Sequence, residues 1–169
     1  MKTVLLSSSV ILGLLVVLLV GCVSFIKVQP GMTADPEARI ALSEGEKVEG
    51  IWAGKDLQVE YAAGLTPEHV TLSGRLLFGR ALLNSFPIVD QFALRMNILD
   101  GDGRVITSSD ITPLYSFRNT VDEISTLQAR ITRPEGAAAI AFNYYGTFLG
   151  QVNDEAGGDS WEIYQFPFK

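Results

Sequence analysis

The chain has 169 residues, 19 acidic against 13 basic, with one Cys and one His. That length suits a single domain, since domains run to about 100–200 residues. A net charge of −6 without a clustered Lys/Arg surface argues against a nucleic-acid partner, one Cys excludes an internal disulfide, and one His excludes multi-His zinc chemistry. Mean hydropathy is nevertheless positive at +0.24, so the apolar residues must be unevenly distributed.

They concentrate first at the N-terminus. No residue from Thr3 to Ile26 is charged, Lys2 precedes the run, and Val4–Val20 reads VLLSSSVILGLLVVLLV. A positive residue followed by an apolar stretch is the pattern of an export signal. The run ends in Leu19-Val20-Gly21-Cys22, which resembles the lipobox of bacterial lipoproteins. The resemblance covers residues 1–22 only. It implies cleavage before Cys22, a diacylglyceryl group on the Cys22 sulfur and acylation of the new amino group. It therefore implies a membrane attachment through lipid and a place in the cell envelope. Val23 and Ser24 differ from the Asp that marks inner-membrane retention in enterobacteria, so the outer membrane, facing the periplasm, is the expected address. Two or three acyl chains anchor stably where one does not. Left uncleaved, the same run could cross about 30 Å of hydrocarbon as a helix. In either case Lys2 leaves the rest of the chain outside the inner membrane.

Residues 1–21 are thus read as a signal peptide, 22–38 as an acylated Cys with a flexible tether, and 39–169 as the folded domain. Without residues 1–21, which hold one Lys and no acid, 148 residues remain with a net charge of −7. The tether reading rests on Lys27–Ala38, KVQPGMTADPEA, where two prolines and a glycine interrupt any apolar period.

Beyond it the pattern alternates. Leu57, Val59 and Tyr61 alternate with Gln58 and Glu60, and Leu72, Gly74, Leu76 and Phe78 with Thr71, Ser73 and Arg75. Leu65–His69 reads as a short helix or turn with Thr66 as its cap. Ala81–Val89, ALLNSFPIV, is apolar but broken by Asn84, Ser85 and Pro87, so it either crosses between sheets or exposes a patch. In Gln91–Leu99 the inward set is Phe92, Leu94, Met96 and Ile98, with Gln91, Arg95 and Asn97 outward. Asp100-Gly101-Asp102-Gly103 supplies a tight hairpin turn. Leu127, Ala129 and Ile131 continue the alternation, Ala138–Leu149 is apolar on both faces as a central strand would be, and Ser160–Phe168 closes the chain, with Pro167 suited to an edge. Period two, repeated between turn signals, predicts an all-β fold, an antiparallel β-sandwich of the Ig-like or transthyretin-like kind with seven to nine strands.

Chemistry is sparse. Asp154, Glu155 and Asp159 form an acidic loop that could gather round Ca²⁺, although solvated acidic loops are commoner. No other metal and no cofactor is expected. His69 has neither a nucleophile elbow nor an orienting partner in the sequence, so no enzyme is expected. Candidates for a partner or ligand surface are Trp52, Leu82, Leu83, Phe86, Tyr145 and Trp161. Two functions fit: a tethered interaction or assembly module meeting an envelope protein, or a module binding glycan or lipid through exposed aromatics or a cavity between the sheets.

Overall fold

A computed structural model describes residues 27–113, 120–122, 124–150 and 159–169. Among them nine strands form: β1 (Ile40–Ala41), β2 (Lys47–Ala53), β3 (Leu57–Leu65), β4 (His69–Phe78), β5 (Ile88–Leu99), β6 (Val105–Asp110), β7 (Ile124–Thr132), β8 (Ala139–Leu149) and β9 (Ser160–Gln165). One short helix, α1 (Arg80–Ser85), lies between β4 and β5, and a 3-10 turn spans Pro36–Ala38. The fold is an all-β sandwich of two antiparallel sheets. One has four strands in the order β2-β3-β4-β7; the other has the order β1-β8-β5-β6, with β9 also on β8.

The alternation explains the layers. On β3 and β4, Leu57, Val59, Ala63, Val70, Leu72, Leu76 and Phe78 are buried, while Gln58, Ser73 and Arg75 face solvent. Glu60 and Arg75 pair on that outer face, Nε to Oε2 at 2.7 Å. The facing sheet contributes Leu94, Met96, Ile98, Ile140, Phe142, Tyr144 and Phe148, which fill the space between the sheets. Burying each such aliphatic or aromatic side chain stabilises by roughly 1.5–3 kcal/mol. Strand β8 is central, paired to β5 along one side and to β1 and β9 along the other. It is apolar on both faces because Ile140, Phe142, Tyr144 and Phe148 face the core between the sheets while Ala139 and Ala141 face a second core.

The turns follow their residues. Asp100 Oδ1 accepts the N–H groups of Asp102 and Arg104, and Gly103 takes φ +84°, closing the β5–β6 hairpin. Thr66 does not cap a helix. Its Oγ1 accepts the His69 N–H at 2.9 Å while its own N–H donates to the His69 carbonyl, a hairpin turn between β3 and β4. The helix forms instead in Ala81–Val89, where α1 carries the chain from the four-stranded to the five-stranded sheet and buries Leu82.

Two expectations are corrected here. Residues 28–38 are not a flexible tether. Gly31 N–H donates to Val105 O, Thr33 and Lys169 exchange backbone bonds, and the Ala34 and Asp35 N–H groups donate to Gly103 and Pro167 carbonyls. Val28 and Ala34 join Leu99, Val105, Ala139, Ala141 and Phe168 in a second small core on the outer face of the five-stranded sheet. The prolines and Gly31 (φ +90°) make turns rather than slack, and the irregular spacing of Val28, Met32 and Ala34 hides their burial because no single strand or helix carries them. Asn97, expected outward in solvent, is fully buried on the outer face of β5, opposite Ala141 of that second core. Its Nδ2 donates to Asn143 Oδ1 at 2.8 Å and to the Ala141 carbonyl at 3.2 Å.

Candidate binding cleft

The end of the sandwich where β4 hands over to β5 carries the candidate site. α1 buries Leu82 there, in the same core as Phe78, Phe92 and Phe148, whose ring centroids lie 5.1–6.1 Å apart. Phe86 follows at the C-terminal end of α1, its N–H donating to Leu82 O at 2.7 Å. β9 enters the edge of the five-stranded sheet at the same end, because Ser160 and Trp161 pair with Leu149 and Phe148. Phe86 and Trp161 stack with centroids 5.6 Å apart and an interplanar angle of 27°. The ring faces are offered to each other, and the indole remains 49% exposed.

Between this stack, α1 and the turn Gly54–Asp56 lies a cleft of about 290 Å³. Leu82 and Phe86 form its apolar side, Trp161 one wall, and Lys55, Asp56 and Ser85 its polar rim. Asp56 is fixed, because Tyr144 Oη donates to its Oδ2 at 3.0 Å and accepts its backbone N–H at 3.3 Å. Burial foremost, reinforced by the Asp56 carboxylate, pushes the Tyr144 hydroxyl well above the ordinary phenol range, so it stays a protonated donor. The Lys55 ammonium and the Ser85 hydroxyl have no partner among the described residues.

The residues expected at a surface therefore divide. Phe86 and Trp161 come together at the cleft, with Leu82 beneath them and Leu83 half-buried against the core. Trp52 does not belong to the surface. It is 8% exposed, on the inner face of β2, with its ring 5.5 Å from Phe142 and 6.0 Å from Tyr144. Its strand was hard to read, because the inward position Gly50 lacks a side chain and the outward position Ile51 is apolar and exposed. Leu82 likewise is a core residue with one edge in the cleft. Tyr145 sits on the opposite, outer face of β8, half-buried, paired with Tyr164 of β9 and in contact with Thr147 Oγ1 at 3.3 Å. Lys55, Asp56 and Ser85 were not anticipated. Nothing in their own segments distinguishes them from ordinary turn residues, since the cleft exists only where three distant segments converge.

Leu19, Val20, Gly21 and Cys22 lie outside the described residues, as do Asp154 and Glu155. Asp159 is exposed, its carbonyl accepting the Gly150 N–H at 2.9 Å. His69 is half-buried beside Glu68 and Arg130, its Nδ1 3.4 Å from Arg130 Nη2, and the Thr66 hydroxyl meets its backbone rather than its ring. Among the described residues no group of three or more His, Cys, Asp or Glu is placed to hold a metal, and no helix is long and apolar enough to cross a membrane. No family model, curated protein or solved structure matches this chain.

Proposed function

We propose that this chain is a lipid-anchored protein of the bacterial cell envelope whose sandwich is a non-catalytic binding module, and that it meets its partner at the Phe86–Trp161 cleft. The anchor rests on Leu19-Val20-Gly21-Cys22 behind its apolar run. The half-exposed Trp161, held flat against Phe86, carries the choice of site, because a large aromatic left in water at a concave surface costs solvation that a bound partner recovers.

Of the two kinds of occupant the sequence allows, a ligand fits better than a protein surface. The cleft is small and concave, one aromatic wall with three polar groups around it, which is how ligand sites are built. The exposed isoleucines that a broad protein interface would recruit, Ile51 and Ile124, stand on the outer face of the other sheet. A cavity between the sheets is no competitor, because Phe142, Tyr144 and Phe148 fill that space.

Intact-mass measurement of the membrane-extracted chain tests the anchor. Loss of residues 1–21 with a lipid-sized increment is expected, and Cys22→Ser should remain unprocessed. An unmodified full-length mass would leave a transmembrane anchor instead. A photo-crosslinking residue at Ser85 tests the cleft: it should give a specific adduct in intact cells that Trp161→Ala abolishes, and an adduct indifferent to Trp161 would place the site elsewhere.

A further inference from the structure

We infer that the cleft is a saccharide site held away from the membrane, with a pyranose ring packed on the exposed part of the Trp161 indole; its orientation, though not its chemistry, rests on the lipid-anchor reading. Phe86 stacks on the indole, and the half-exposed Trp161 lines the cleft beside it. The C–H face of a sugar ring is a flat, weakly apolar surface that suits such a platform, while its hydroxyls need donors and acceptors in the plane around it. The rim supplies both: the Ser85 hydroxyl and Lys55 ammonium, unpartnered among the described residues, and the Asp56 carboxylate, already oriented by Tyr144. An acyl chain would need a dry tunnel, and this cleft is rimmed by two charged side chains.

The location points the same way. The chain is packed from Val28 onward, and Val28 sits with Leu99, Val105 and Ala139 at the hairpin end of β5 and β8. Only six peptide units separate Cys22 from Val28, which reach about 20 Å when fully extended. Trp161 pairs with Phe148, at the other end of β8 from Ala139, and at about 3.3 Å per residue the strand carries it about 30 Å away. A lipid on Cys22 therefore holds the hairpin end near the bilayer and leaves the cleft at the far end, beyond the reach of the anchor. What arrives there comes from the aqueous side.

The test uses the full chain, membrane-extracted into a zwitterionic detergent free of sugar headgroups, titrated with tetramers of β-1,4-linked N-acetylglucosamine, β-1,4-linked glucose and α-1,4-linked glucose. At least one tetramer should shift tryptophan emission to shorter wavelength saturably. Trp161→Ala should weaken that binding at least tenfold by calorimetry, and Trp161→Phe, which keeps a flat ring, should weaken it less. No saturable response to any of the three, or binding unchanged in Trp161→Ala, would overturn the proposal; unchanged melting temperatures of both variants guard against misfolding. In vesicles containing brominated lipids, Trp161 emission should stay unquenched, and strong quenching would overturn the orientation. An unmodified mass with saccharide binding intact would remove the anchor and keep the site, whereas a lipidated chain that binds no tetramer would remove the site and keep the anchor.

Discussion

Tyr144, in the middle of β8, donates its hydroxyl to Asp56 Oδ2 at 3.0 Å and so fastens the β2–β3 turn to the opposite sheet. The contact joins the core to the rim of the cleft, since the same ring packs edge-on against Trp52 with centroids 6.0 Å apart. Tyr144→Phe removes both hydrogen bonds and is expected to cost about 1 kcal/mol, read as a lower melting temperature. The pH dependence has a definite sign. A hydroxyl whose pKa rises on folding contributes stability that is intact below the unfolded value of 10.0 and is lost as pH climbs through the higher folded value. Melting temperature should therefore fall more steeply above pH 10 in the native chain than in Tyr144→Phe; parallel curves would show that Tyr144 is not the source.

The two tryptophans should report opposite environments. With Trp161→Phe the remaining Trp52 is expected to emit at short wavelength and resist iodide, whereas Trp52→Phe should leave a red-shifted emission that iodide quenches readily. Trp52→Ala should cost about 3–5 kcal/mol as a core truncation, and Trp161→Ala far less.

Tyr61 lies between two glycines, Gly50 on β2 and Gly74 on β4. A Cβ at position 50 would come within 2.6 Å of the Tyr61 hydroxyl, and one at position 74 would strike the Glu60 carbonyl. A side chain can swing and a strand backbone cannot. Gly74→Ala is therefore expected to destabilise more than Gly50→Ala, which should fall near 1–3 kcal/mol; denaturant midpoints will rank them.

The clasp of the two chain ends predicts slow amide exchange at Gly31, Thr33, Ala34 and Asp35, whose N–H groups are all bonded. Lys169 Nζ reaches Asp35 Oδ1 at 2.8 Å over this ladder, but both groups face water and the ion pair adds little. Phe168→Ala, which removes the largest buried side chain of the second core, should raise exchange at those amides selectively. Random-coil rates in the native chain would restore the tether reading.

Asn97→Ala strands the buried Asn143 Oδ1 and should cost about 1–3 kcal/mol. The double change Asn97→Leu with Asn143→Leu removes both polar groups and should recover part of that loss. If the double variant proves worse than Asn97→Ala, overpacking beneath the terminal segments outweighs the polar penalty.

Local residues by themselves determined much of this protein. β3, β4 and β7 were legible because each wets one face and buries the other, and the alternation of β5 marked its inner face although its outer face is buried toward Leu99. The Asp100–Gly103 hairpin and the crossing at Ala81–Val89 were legible because turn chemistry and broken periods act within a few residues. Tertiary structure alone decided what covers an outer face and what stands at an edge. Asn97 reads as outward and is buried on a face where Val28, Ala34 and Phe168 pack against the neighbouring Leu99 and Ala141, and Trp52 reads as a possible surface residue and is buried because β2 pairs with β3 in a register that turns it inward. The meeting of Phe86 with Trp161 depends on where β9 joins β8 and where α1 lands. Such positions are set by pairing between segments far apart in the chain, and a one-dimensional pattern records each segment's contact with water but not its choice of neighbour.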